Sequence, residues 1–140
     1  MLYGSYDHTL DKKGRVSIPS KLRDALGNDF MICPSFNGTC LNVYSNEEWG
    51  KLVEKIGQLP LSKSSKVKRK IFGNAFNVEL DSQGRILIPA VLREYAQLDT
   101  DVHIAGVDTN LEIWDAELWR QENEDNSLES IASLLEELNF

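Results

Sequence analysis

The chain reads as mainly β with short helices (α+β), folded from two interlocked copies of one unit. Residues 10–23 recur as residues 80–93, with eight of fourteen positions identical: Leu10, Asp11, Gly14, Arg15, Ile18, Pro19, Leu22 and Arg23 against Leu80, Asp81, Gly84, Arg85, Ile88, Pro89, Leu92 and Arg93. The register then continues without net gap, so that residues 40–44 fall on 110–114 and Trp49 falls on Trp119. Two copies of one unit imply a pseudo-two-fold. Each copy, residues 5–49 and 75–119, is about forty-five residues long, too short to bury a good core alone, so the halves are expected to interlock.

The elements follow in order. Residues 3–10 alternate weakly and suit a strand. Asp11-Lys12-Lys13-Gly14 has the chemistry of a type I turn closed by a left-handed glycine, the common three-residue hairpin loop, and Asp11 can accept from the turn's own amides. In Arg15-Val16-Ser17-Ile18 the apolar residues face one side and Arg15 and Ser17 the other. Pro19 suits the first turn of a helix carrying Leu22 and Leu26 one turn apart. A second hairpin joins residues 30–33 to 40–44 through Asn37-Gly38. Ser45-Asn46-Glu47-Glu48 is a capping box opening a helix with Trp49, Leu52, Val53 and Ile56 on its apolar face. Residues 62–74 form a basic linker, either a solvated connector or a short helix. The second unit repeats the order: turn Asp81-Ser82-Gln83-Gly84, strand 85–88, helix 89–96, hairpin 102–105 with 111–114, and Asp115 capping a helix with Leu118 and Trp119. Residues 126–140 space Leu128, Ile131, Leu134, Leu135 and Leu138 at three and four, the pattern of an amphipathic acidic helix. It can strap the core or contact another subunit.

Composition narrows the function. With 41% hydrophobic and 26% charged residues the chain suits a globular fold. No apolar run approaches a bilayer span, and the first residues lack a basic and apolar leader pattern, so a cytoplasmic location is expected, with no membrane partner. The net charge of −7 is unevenly spread: residues 112–140 hold nine acids against Arg120 alone, whereas residues 1–111 hold fourteen bases against thirteen acids. The local field of a patch governs binding, so this sum does not exclude nucleic acid. Cys33 and Cys40 lie seven apart without the spacing of a zinc site, which favours two strand thiols and no metal. His8 and His103 suit strand positions. Asp11 and Asp81 could be read as a carboxylate pair, but no nucleophile elbow, phosphate loop or metal cluster accompanies them. Neither an enzyme, a cofactor nor a small-molecule substrate is expected.

The residues left to carry function are duplicated arginines. Arg15 and Arg85 each follow a turn glycine on the polar face of a strand, where a guanidinium can meet phosphate or a guanine edge in the major groove. Lys12 and Lys13 add charge at the first turn; Ser82 and Gln83 occupy those places in the second. The plainer reading is that each arginine pairs with the aspartate four residues earlier and locks the turn, and the two are compatible, since a buttressing carboxylate can aim the arginine. Asp11, Gly14, Asp81 and Gly84 are the buttressing residues. Arg23 and Arg93, on the helix after each turn, can reach a duplex backbone or remain solvated.

The two Asp-to-Arg turns, Gly14-Arg15-Val16-Ser17-Ile18-Pro19, Gly84-Arg85-Ile86-Leu87-Ile88-Pro89 and the late Leu111-Glu112-Ile113-Trp114-Asp115 closely resemble the signature of the MraZ family over residues 1 to about 120. One turn motif alone would point only to the wider AbrB-like group of swapped-hairpin DNA binders. The resemblance implies a double-split β-barrel of two AbrB-like halves. It also implies a bacterial, nucleoid-associated transcription regulator that binds short direct repeats of double-stranded DNA in the promoter of the division and cell-wall gene cluster, its own gene included. Ring homo-oligomers, octamers or dodecamers, are implied as well. It places the DNA contacts on Arg15 and Arg85 and the basic turn residue on Lys13. A reading of another class is a ring-forming scaffold that engages a protein through the acidic tail.

Overall fold

Short runs of alternating apolar residues, cut by glycine, proline and aspartate, set the strands. A computed structural model describes residues 1–139; the last residue of the expected tail helix, Phe140, lies outside the described residues. The first unit holds β1 (Leu2–Thr9), β2 (Arg15–Ser17), α1 (Ser20–Leu26), β3 (Asp29–Pro34), β4 (Leu41–Ser45) and α2 (Asn46–Gly57). Helix α3 (Leu61–Lys70) and a 3-10 turn at Phe72–Asn74 follow. The second unit holds β5 (Phe76–Glu79), β6 (Arg85–Leu87), α4 (Ala90–Tyr95), β7 (Asp101–Asp108), β8 (Leu111–Asp115) and α5 (Ala116–Asp125), with α6 (Leu128–Glu136) behind it. The expected class, mainly β with short helices, is the one found.

The halves interlock by exchanging strands. The main sheet is antiparallel with order β1-β7-β8-β4-β3-β5, so the first strand of each unit edges the hairpin of the other. The remaining strands, β2 and β6, pair only with each other. Each turn leads from an edge strand of the main sheet into this ribbon, so the ribbon bridges the two edges, an arrangement consistent with the AbrB-like fold. This corrects the expected hairpin: the Asp11–Gly14 turn is closed locally, by Asp11 N–H to Arg15 O at 3.0 Å, but its flanking strands part to different partners. The pseudo-two-fold passes between Val16 and Ile86 in the ribbon and between Asn42 and Glu112 in the sheet, each pair being equivalent positions seventy apart.

The copies contain two compensating shifts that a gapless comparison hides. Val78 pairs Phe30 and His8 pairs Val102, which makes Phe30 and Val102 equivalent, seventy-two apart. Phe30 pairs Ser45 and Val102 pairs Asp115, back at seventy. The connection into β7 is thus two residues longer than that into β3, and the β7–β8 hairpin two shorter.

Val16, Ile18, Ile86 and Ile88 of the ribbon segments join Phe30, Ile32, Leu41, Ile104 and Ile113 of the sheet in one buried core, with Leu22 and Leu92 from α1 and α4. A second cluster seats α2 and α3: Cys33, Tyr44 and Ile71 are buried against Trp49, Leu52, Val67 and Phe72. The basic linker is therefore a helix, held by Val67 and Ile71. Ser45 caps α2, accepting from the Glu48 amide at 3.2 Å, and Asp115 caps α5, accepting from the amides of Glu117 and Leu118. Helix α6 is capped by Ser127 but every one of its residues is exposed, so it does not strap the core. Among the described residues no helix is long and apolar enough to cross a membrane.

Candidate nucleic-acid interface

Each turn is built around its aspartate. Asp11 Oδ1 accepts from the amides of Lys13 (2.9 Å) and Arg15 (2.8 Å), and Oδ2 accepts from Arg15 Nε at 2.6 Å. Asp81 repeats the set with Gln83, Arg85 and Arg85 Nε, each at 2.9 Å. The Arg15 amide, with further help from the Arg15 side chain and the Lys13 amide and against some desolvation, lowers the Asp11 carboxyl to about 2. The Arg85 amide likewise lowers Asp81. Both carboxylates are therefore charged at neutral pH and hold their arginines by Nε alone. The Nη groups of both arginines make no hydrogen bond among the described residues and can donate elsewhere.

The ribbon puts both arginines on one side. Val16 and Ile86 are opposite each other and buried, so the alternate residues Arg15, Ser17, Arg85 and Leu87 share the outer face. Arg15 lies opposite Leu87 and Arg85 opposite Ser17, which makes the two arginines diagonal neighbours. Their side chains are about a third and a quarter exposed, 32% and 26%. Arg85 Nη1 also comes within 3.9 Å of Asp11 Oδ2, linking one turn to the other. Two arginines are thus matched by two aspartates, and the surplus positive charge of this face is Lys12 and Lys13, both exposed and without an ion pair among the described residues.

Arg23 and Arg93 are half-buried rather than fully solvated. Arg23 Nε donates to Ile18 O at 2.8 Å and Arg93 Nε to Ile88 O at 3.0 Å. Each guanidinium then lies flat over the turn glycine of the opposite unit, Arg23 on Gly84 and Arg93 on Gly14. Both glycines are buried at positive φ, +87° for Gly14 and +75° for Gly84, so the positions exclude a side chain by conformation and by space. The Gly84 carbonyl accepts from Ile18 N–H and the Gly14 carbonyl from Ile88 N–H, both at 3.0 Å. These reciprocal clamps fix one turn relative to the other. Their signal in sequence was the identity of all four residues in both copies; the pairing across copies had none.

The remaining polar residues singled out in the sequence lie in the fold. His103 is buried, bonded through Nδ1 to Asp7 at 2.8 Å and stacked on Trp119 with ring centroids 4.2 Å apart. His8 lies in β1. Both cysteines are buried and free, and burial pushes their thiols up to about 12. Among the described residues no group of histidines, cysteines and carboxylates could hold a metal.

The family model described as "MraZ protein, putative antitoxin-like" matches twice, over residues 1–69 and 71–138, which together span nearly the whole chain. The chain belongs to the MraZ family. Its MraZ relatives match end to end: the protein named transcriptional regulator MraZ of Caldicellulosiruptor saccharolyticus is 49% identical over 99% of each chain. That of Thermoanaerobacter sp. (strain X514), under the same name, is 46% identical over all of both. A solution structure of PHS018 from Pyrococcus horikoshii aligns with 81% of this chain and 88% of that one, at 13% identity and a TM-score of 0.34.

Proposed function

We propose that this chain is a DNA-binding transcriptional regulator that reads promoter direct repeats through the β2–β6 ribbon. The observation that carries the reading is the shared outer face, where two partly exposed arginines are each held by an aspartate through Nε, with Lys12 and Lys13 beside them. A two-stranded ribbon fits a major groove. Fixed guanidinium forks supply contacts to phosphate or guanine with little ordering left to do on binding. The lysines supply the nonspecific attraction. Relatives named as transcriptional regulators support the regulatory role.

The rest of the reading comes with the family resemblance: targets in the division and cell-wall gene cluster, including the chain's own gene, and a ring homo-oligomer. One ribbon face is small and should hold DNA weakly, more so as salt rises. Several ribbons on a ring facing successive repeats raise the effective concentration at each step. The test is a gel shift on the protein's own upstream region with Arg15→Ala and Arg85→Ala. Each variant is expected to keep its fold and assembly and lose the shift. If both still shift this DNA like the parent protein, the reading is wrong.

A further inference from the structure

We propose that α6 of one copy docks, apolar face inward, on the α2–α3 surface of a second copy of this chain. The inference rests on the oligomeric part of the function proposed above and gives it a contact. Leu128, Ile131 and Leu135 form one stripe on α6, with Leu134 beside it and Leu138 just past its end, and all are exposed, Leu128 to 90%. A helix of nine residues is marginal in water without a surface to pack on.

Its own unit offers no such surface, and the internal duplication explains why. In the first unit the helix that follows α2 packs through Val67 and Ile71 on Trp49 and Leu52. Seventy residues on, the apolar face of α2 (Trp49, Leu52, Val53, Ile56) becomes Trp119, Glu122 and Asn123 in α5 and Asn126 just past its end. The polar three cannot seat a leucine stripe. Trp119 is already stacked on His103 and edge-on to Trp114, with ring centroids 5.9 Å apart. Only Asn126 and Ser127 separate α5 from α6, so α6 has little reach within its own chain.

The α2–α3 surface has the complementary composition. Val53, Leu59 and Leu61 are exposed there, Leu61 to 78%. Residues 51–70 carry seven bases against Glu54 alone, while residues 116–139 carry seven acids against Arg120 alone. An apolar strip inside an acidic rim thus meets apolar residues inside a basic rim of equal and opposite charge, the arrangement that sets orientation and speeds encounter. Contact between unlike surfaces of identical copies is heterologous, the kind that closes rings.

The experiment uses the full chain with Ile131→Cys and Leu61→Cys together, a short bis-maleimide linker, and native mass on the same sample. The native thiols are buried and hard to ionise, which leaves the introduced pair to react. The expected result is a ladder of linked copies on a denaturing gel, absent from either single variant. Adding Glu136→Lys and Glu137→Lys should lower the ladder roughly five-fold, and Lys63→Glu with Lys66→Glu should restore it. All these positions are exposed, and unchanged melting will show that the fold is intact. An assembly of normal mass that gives only intrachain links, or none, overturns this contact and leaves the ring standing. A monomeric mass overturns the ring itself, and this contact with it. A ladder indifferent to the charge reversals overturns the electrostatic match on which the choice of partner rests.

Discussion

Replacing Gly14 with alanine tests how the two turns are held in one relation. The new methyl would lie 2.6 Å from Arg93 Cζ and 2.7 Å from its Nε, well inside contact distance. Holding alanine at a φ of +87° costs about 1–2 kcal/mol. Arg93 must also leave its place, and with it the bond from Nε to Ile88 O; a hydrogen bond to a charged group contributes about 1.5–3 kcal/mol. The two effects together come to about 3 kcal/mol, a large share of the ~5–15 kcal/mol that stabilises a typical domain. Urea unfolding should show the loss as a lower midpoint at unchanged slope, and the melting temperature should fall by about 10 °C. In an Arg93→Ala background the collision is gone, so Gly14→Ala should cost only the backbone part, leaving a coupling of about 1.5 kcal/mol. A Gly14→Ala protein within about 0.5 kcal/mol of the parent, or simple additivity in the cycle, would refute the clamp.

Two further outcomes bear on the same face. Since Lys12 and Lys13 are its unpaired charges, Lys12→Ala with Lys13→Ala should reduce the salt slope of DNA binding by about 1.8 per ribbon face engaged, while Ser82→Ala with Gln83→Ala leaves it unchanged; equal slopes for the two double variants would show that the lysines meet no phosphate. Asp11 is a carboxyl lowered in the folded state to about 2, so its contribution is complete above the ordinary carboxylate range and is lost as pH falls through that value. The stability gap between the parent and Asp11→Asn, measured by urea midpoints, should therefore be constant above about pH 5 and narrow towards about pH 2; a gap that widens on acidification would mean that the turn does not stabilise the ionised form.

Much of the fold and part of the site can be read without coordinates, because the interactions concerned span only a few residues. Asp11 reaches amides two and four positions on, Ser45 and Asp115 cap the helices they precede, and Gly14 and Gly84 take positive φ to finish a turn. Alternation put Arg15 and Arg85 on the polar side of their strands, and the duplication implied that the halves share a core. The errors fall where partners are distant. The strands around each turn look like one hairpin in sequence, yet β1 goes to β7 and β2 to β6. Arg23 and Arg93 look like helix-surface arginines, yet each also packs over a glycine sixty residues or more away in the other unit. The tail has a helical pattern of its own, but whether the core would cover it depended on what α5 offers, and three of the four positions inherited from α2 are polar.

What the sequence alone determined is the inventory: two copies of a unit, the turn chemistry that couples an aspartate to an arginine, the caps, and the family to which such motifs belong. These follow from short-range hydrogen bonding and side-chain periodicity, which are properties of neighbouring residues. Only the tertiary structure decided that the two arginines share one outer face, that arginines from each unit clamp the glycine of the other, and that the acidic helix stands clear of the core. Those outcomes depend on which strand edges and ledges remain to be filled once both halves close on one core, and that choice is made by surfaces brought together from positions about seventy residues apart.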